Sequence, residues 1–559
     1  MSQSPKGHKE VMTGAKALVT LLEDRGVEVI FGYPGGANLP IYDELRNSSI
    51  QHILVRHEQG SVHMAEGYAK VKGRPGVCLA TSGPGVTNLV TGLADALLDS
   101  IPVVALTGQI PRGMIGTDAF QEVDAFNITM PVTKHNELVK KESELVKAVD
   151  AAFYIANSGR KGPVLLDLPK DLLDEPYPYD LSETCSLPGY NPTTKGNIGQ
   201  IKKALKAIEK AERPLLLVGA GVESAGAMSE INALIRKLQI PVVRTLMATG
   251  VLSFDDPLYL GMIGTHGNGL ANRLVNKEAD LILIAGAKLS NRSLLRADLF
   301  GKDAKLIQLD IDPAEIGKTI EIDIPIVGDV KETLRDMLLR IEDKPIRVGV
   351  TPWIHGEHQK TKTMLPKADA AEVMEWVCQE LSKIDLKMHV TTDVGRHQMW
   401  ANHHMTNPKH LPLITSGGLG TMGFGLPAAI GAWFADPQSP VVNLTGDGSF
   451  MMNMQEFIVA VEHHVPLTVI VFNDFRLGMI KELQDSSYGK RHIAHDFNKE
   501  VDFPLLAKAM GGEGRLVVRR EEIAEALFEA IHSRRPNLIC FDLERIHLRS
   551  AINLAEKAS

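Results

Sequence analysis

The 559-residue sequence predicts an α/β protein made of three doubly wound parallel-sheet domains. Short apolar runs alternate with segments of helical period almost throughout, the pattern of repeated βα units. Two stretches rich in Pro, Gly and polar residues follow neither period: "TCSLPGYNPTTKGN" from 184 and "KPIRVGVTPWIHGEHQKTKTMLPK" from 344. They divide the chain into three blocks, which agrees with the three to four domains expected of about 560 residues.

The domains are expected over 10–183, 197–343 and 367–548. In the first, "VEVIF" (27–31), "HILV" (52–55), "GVCLA" (76–80), "PVVAL" (102–106) and "PVLLDL" (163–168) have strand character. Helical segments such as "TNLVTGLADALLD" separate them. The second block supplies "PLLLVGAG", "PVVRTLM", "DLILIAG" and "KLIQLDID"; the third supplies "HVTTD", "VVNLT", "LTVIVF" and "LICFDL".

A content of 44% hydrophobic and 23% charged residues is ordinary for a globular chain. The net charge is −8 and no basic stripe follows a helix or strand, so nucleic acid is not an expected partner. Cys78, Cys185, Cys378 and Cys540 form neither a CxxC pair nor a secretory framework, which fits a reducing compartment. No stretch reaches the roughly 18 uncharged apolar residues of a membrane span, and "MSQSPKGHKEVMTGAK" has no apolar signal core. The expected location is cytoplasmic, with no membrane partner.

The chemistry is concentrated in "LTGDGSFMMNMQEFIVAVEHHVPLTVIVFND", residues 444–474. Asp447 and Asp474 each follow an apolar run, at the strand ends where open parallel sheets bind ligands. A helix from about Ser449 to His463 can make the crossover that brings the two strands side by side. Paired carboxylates without His or Cys suit Mg²⁺ or Ca²⁺, and Mg²⁺ usually also binds phosphate. Gly446 and Gly448 permit close backbone approach, and a helix opening at Ser449 offers N–H groups to an anion. Taken singly, Asp447 also suits a helix N-cap and Asn473-Asp474 a turn.

With its spacing, the segment resembles the thiamine diphosphate enzymes, whose signature is Gly-Asp-Gly followed some two dozen residues later by Asn-Asn. The resemblance implies that Asp447, Asp474 and the carbonyl of Arg476 bind the metal. It implies that Glu58 in "ILVRHEQG" is the carboxylate facing the aminopyrimidine ring, which assists removal of the thiazolium C2 proton. Met422 in "SGGLGTMGFGLPAAIGA" becomes the wedge that bends the cofactor, beside Gly420 and Met479. Gly395 and His397 in "DVGRHQMW" become diphosphate contacts with Gly446, Gly448 and Ser449.

"FGYPGGANLPIYDEL", "TSGPGVTNLVTGLADALLDSIPVVALTGQIPRGMIGTDAFQE" and the glycine-rich segment from Ser416 are closely similar to the acetohydroxyacid (acetolactate) synthase catalytic subunits. That family has the fold of the thiamine diphosphate-dependent decarboxylases and carboligases. It decarboxylates pyruvate and joins the hydroxyethyl unit to a second 2-oxo acid, in branched-chain amino acid biosynthesis. Gly36 then lies near the aminopyrimidine, with Phe120 and Gln121 facing the substrate. The resemblance further implies a homodimer or homotetramer and a small regulatory subunit. A related 2-oxo acid decarboxylase, acetyltransferase or pyruvate oxidase is the alternative.

The middle block resembles the family's FAD domain through Thr245, Leu246 and Met247, His266 and Gly267, Arg292, Asp310 and Ile311, and Asp329 and Val330. The chain departs from the pattern at several places. Asp474 replaces Asn, Arg396 replaces Gln, and Glu482-Leu483 replace Gln-Trp. Gly113 replaces Arg, and "AKLSNR" (287–292) lacks the family's acids, although Lys288 and Arg292 keep two cations.

Overall fold

The computed structural model describes residues 9–343, 354, 369–405 and 412–546. Nearly all of the second expected linker lies outside them, as do 367, 368, 547 and 548 at the limits of the third expected domain. The first linker carries no helix or strand between Tyr179 and Ile198.

Three six-stranded parallel sheets form the molecule. The first runs, edge to edge, Gln51–Leu54, Val29–Gly32, Gly76–Ala80, Val103–Gln109, Val164–Pro169 and His135–Leu138. In chain order this is 2-1-3-4-6-5. The third sheet runs Ile414–Thr415, His389–Thr392, Val441–Gly446, Leu467–Asn473, Asn537–Asp542 and Glu513–Val517, which is the same order. The middle sheet runs Tyr259–Met262, Val242–Arg244, Pro214–Val218, Leu281–Ala285, Lys305–Asp310 and Ile324–Val327. Its order, 3-2-1-4-5-6, is that of dinucleotide-binding sheets.

The central strands are buried on both faces, which explains their continuous apolar runs. An antiparallel pair, Glu10–Thr13 with Pro176–Tyr179, closes the first domain and was not foreseen in the sequence. The expected Ser449–His463 crossover is also broken. A helix over Asp447–Asn453 gives way to a 3₁₀ turn, Met454–Glu456, and a second helix, Phe457–Glu462. Asn453 leaves the helical region, and its side-chain amide instead donates to the Gly423 carbonyl at 2.8 Å.

The first and third domains share one hydrophobic core. Helix Glu58–Lys72 crosses helix Gly425–Ala435 with almost no side chain between them. A Cβ on Gly67 would stand 2.0 Å from the Ala428 carbonyl oxygen, and one on Gly431 would stand 1.8 Å from that of Met64. Backbone meets backbone at both points, so no rotamer change could relieve an added methyl.

Gly431→Ala is therefore expected to cost about 1–3 kcal/mol or more through overpacking. Gly113→Ala, where nothing among the described residues lies within 4 Å of an added Cβ, is the control with no expected loss. Differential scanning calorimetry of the two variants checks the contrast.

Candidate active site

Strand Val441–Gly446 pairs in parallel with Leu467–Asn473, with Gly446 opposite Phe472. Asp447 therefore emerges beside Asn473-Asp474. On the other side of the same strand, His389–Thr392 leads into a turn with Asp393 and Gly395 and then into helix Arg396–His404, which opens with Arg396 and His397. The chain leaves the first and third strands of this sheet in opposite directions, so the loops part and open a crevice between them.

Asp447 is buried, and its carboxylate accepts the Gly448 N–H at 2.8 Å and the Arg476 N–H at 3.2 Å. Burial, then the neighbouring Asp474 charge, pushes its pKa up to about 7. Burial also raises Asp474, against the pull of Arg396 and Arg476. The Arg476 side chain turns outward to Glu544 at 2.6 Å. Because the helix starts at Asp447 rather than Ser449, the Gly448 amide is already bonded to the Asp447 carboxylate. Ser449 donates its hydroxyl to the Val394 carbonyl at 2.7 Å, tying the two loops together.

The His397 ring is wedged between glycines. A Cβ on Gly395 would meet it at 2.7 Å and one on Gly446 at 3.0 Å. Burial drives its pKa down to about 3, so the ring is neutral. Its Nε2 is buried with no hydrogen-bond partner among the described residues, as expected of an atom facing a polar ligand. The crevice thus offers hard oxygen donors for a cation, an unsatisfied ring nitrogen, and glycines that keep space open. These are features that suit a metal-bound diphosphate.

The Met422 loop is held by two residues not singled out in the sequence. The buried Asp393 carboxylate accepts the N–H groups of Gly423 at 2.7 Å and Gly425 at 3.2 Å. Ser416 Oγ accepts those of Gly420 at 3.0 Å and Thr421 at 2.8 Å, while donating to Asp95 at 2.6 Å. Gly420 has φ +78°, in the left-handed region. The Met422 methyl would lie 3.6 Å from a Cβ on Gly448, so this loop reaches the Asp447 turn. Met479 is half-buried in helix Gly478–Ser487. Asp393 could have been found, since it too follows an apolar run; Ser416 had no comparable signal.

In the first domain, Glu58 opens helix Glu58–Lys72, and its carboxylate accepts the Asn88 amide at 2.9 Å. Gly36 faces open space on the loop after Val29–Gly32, beside Gly35, which is packed against Thr81. Phe120 is 88% exposed. Gln121 has φ +62°, and its carbonyl oxygen lies 2.7 Å from where a Cβ on Gly83 would stand. Among the described residues, no recorded hydrogen bond or ion pair joins Glu58, Phe120 or Gln121 to Asp447, Asp474 or Met422.

A cavity of about 700 Å³ opens where the middle sheet reverses, at Ala220, Gly221 and Gly286. Thr245, Leu246, Met247, Arg292, Asp310, Ile311, Asp329 and Val330 line it, together with Arg160 and Lys288. His266 and Gly267 do not; the His266 carbonyl instead accepts from His403 at 2.7 Å. The close approach of Gly219 to Gly286, where a Cβ would stand 2.2 Å from the carbonyl oxygen, narrows the switch point to bare backbone. Size, position and mixed polar lining suit a dinucleotide.

Comparison with known proteins finds three family domains along the chain. Residues 12–128 match the N-terminal TPP binding domain of thiamine pyrophosphate enzymes, 201–337 their central domain and 393–541 their C-terminal TPP binding domain. The chain is 45% identical over 543 residues to the "Probable acetolactate synthase large subunit" of Methanocaldococcus jannaschii, covering 94% of this chain and 91% of that protein. It is 44% identical to an acetolactate synthase of Arthrospira platensis, over 96% and 95% of the two chains. To the Escherichia coli acetolactate synthase isozyme 3 large subunit it is 41% identical, over 95% and 94%. The fold is that of a thiamine diphosphate enzyme, and within that class the chain belongs to the acetolactate synthase large-subunit family.

Removing the Asp393 carboxylate would leave the buried Gly423 and Gly425 amides unpaired, at about 1–3 kcal/mol each. Asp393→Ala is expected to lower the unfolding temperature of the cofactor-free protein, which a thermal melt followed by circular dichroism measures.

Proposed function

We propose that the acetolactate synthase activity of this chain runs where the strand ends bearing Asp447 and Asp474 meet the Gly395–His397 loop. The observation that carries this reading is the pair of facing acidic strand ends beside a buried imidazole nitrogen without a partner. Asp447, Asp474 and the Arg476 carbonyl would hold Mg²⁺. Gly395, His397, Gly446, Gly448 and Ser449 would receive the diphosphate, with Gly420, Met422 and Met479 against the rest of thiamine diphosphate. When bound, that cofactor supplies the electron sink for decarboxylation of a 2-oxo acid.

Glu58 would hold a proton at the aminopyrimidine, with Gly36 nearby and Phe120 and Gln121 toward the substrate. The highly exposed Phe120 and the lack of any recorded bond from Glu58 to the Asp447 site support a shared site between two subunits. The assembly is then a homodimer or homotetramer. A small regulatory subunit follows from relatives described as large subunits. The substrates are pyruvate and a second 2-oxo acid, in branched-chain amino acid synthesis.

FAD is the occupant proposed for the central cavity. Thr245, Leu246, Met247, Arg292, Asp310, Ile311, Asp329 and Val330 would contact it, with His266 and Gly267 outside the lining. No helix among the described residues is long and apolar enough to cross a membrane, which supports a cytoplasmic location.

Glu58→Gln is expected to lower kcat at least about 100-fold, the scale of general acid–base catalysis, while thiamine diphosphate affinity stays within about threefold. Asp447→Ala is expected to lose the cofactor instead; calorimetric titration beside steady-state rates separates the two effects. Product analysis with pyruvate, thiamine diphosphate, Mg²⁺ and FAD should give acetolactate. Acetaldehyde or acetyl phosphate would move the chain to a sister reaction. Under anaerobic turnover the flavin should stay oxidised, and its bleaching by pyruvate would indicate an oxidase.

A further inference from the structure

Three of the positions at which the chain departs from the family pattern are joined in the fold. The Arg396 guanidinium forms an ion pair with Asp474 through Nη2, and its Nη1 lies 3.1 Å from Glu482 Oε1. The guanidinium carbon sits 5.2 Å from the centre of the Trp400 ring, within cation–π range. At Gly478 an added Cβ would stand 2.2 Å from Arg396 Nε, so the bare glycine leaves the room that the guanidinium fills. Arg396 is thus held from several sides: by Asp474 after one strand, by Glu482 and Gly478 on the following helix, and by Trp400 on its own helix.

Burial separates this pair from an ordinary surface contact. The Arg396 and Asp474 side chains are 20% and 16% exposed, whereas Glu482 is 55% exposed and is screened by solvent. Asp474 also faces Asp447, and two buried carboxylates at close range repel unless a cation accompanies them. A divalent ion supplies one such cation. Arg396 supplies another that is covalently part of the protein.

We propose that Arg396 is a positioning residue of the metal and diphosphate site, whose charge offsets that of Asp474 so that the Asp447–Asp474 pair presents roughly one net negative charge to a divalent cation. Trp400, Gly478 and Glu482 hold the guanidinium in that place. The inference rests on the cofactor site proposed above. Its consequence is a pair of effects of opposite sign: losing Asp474 alone weakens cation binding, and losing Arg396 alone strengthens it. Asp474 without Arg396 over-attracts the cation, and Arg396 without Asp474 repels it.

The test uses the full chain, stripped of metal by chelation and titrated with Mg²⁺ at saturating thiamine diphosphate, with binding followed by calorimetry. D474N, which leaves a buried guanidinium beside the cation, is expected to raise the half-saturating Mg²⁺ concentration at least about 10-fold. R396Q/D474N is expected to return it to within about threefold of the parent, because the opposing charges leave together. R396Q alone is expected to lower it about threefold or more, and this variant keeps the test usable should D474N fail to fold. A double variant no better than D474N, or a raised requirement in R396Q, overturns the proposal. If the parent protein itself shows no Mg²⁺-dependent binding of thiamine diphosphate, the site assignment falls and takes this inference with it. If the parent binds and the variants behave independently, the inference alone falls.

Discussion

The parallel pairing of Val441–Gly446 with Leu467–Asn473 is the constraint on which the site depends. It places two acidic strand ends side by side in a crevice where neither is well hydrated. The surrounding structure answers the resulting charge. Backbone N–H groups of Gly448 and Arg476 bond to Asp447, and the Arg396 guanidinium meets Asp474. A one-residue shift in register would move Asp447 relative to Asp474 and Arg476 and break the contacts between the two strand ends. The two flanking strands, Asn537–Asp542 and His389–Thr392, hold that register from either side.

The duplicated strand order of the first and third sheets gives this arrangement a counterpart. In both, the switch point lies between the first and third strands of the block, and in both a glycine-bearing loop fills it. In one domain this is Gly35-Gly36 against Thr81, and in the other it is Gly395 with His397 against Gly446. The shared core at the Gly67 and Gly431 crossing fixes the two domains of one chain rigidly together. Backbone contact at that crossing leaves no slack for an added side chain.

Much of the fold was legible because the inner strands are long, apolar and buried on both faces. "GVCLA" coincides with strand Gly76–Ala80, and the other expected runs each hold an observed strand within a few residues. The strands that escaped notice in the three sheets are all at edges: His135–Leu138, Tyr259–Met262, Ile324–Val327, Ile414–Thr415 and Glu513–Val517. An edge strand has one partner and needs no continuous apolar run, and charge or proline there guards against pairing with other chains. "HNEL", "IPIV" and "EGRLV" show that composition. The Asp447 and Asp474 positions were legible for a local reason, an acid at the end of a strand. Asp95 and Asp99 were not, because their partners Ser416, Gly417 and Gly418 lie more than 300 residues away in sequence.

Those distant contacts converge on Gly417 and Gly418, where all three domains meet. Asp99 of the first domain accepts both amides, at 2.8 and 2.7 Å. From the central domain, Arg292 donates to the Gly417 carbonyl at 3.4 Å and to Gln398 at 3.0 Å, while the Met247 sulfur packs where a Gly417 side chain would stand. Arg292, Met247, Asp99 and both glycines line the central cavity, and the same glycines begin the loop that carries Met422 to the Asp447 turn. The lining of that cavity is therefore also part of what supports the Met422 loop. The central domain thereby helps to fix the backbone from which Met422 projects.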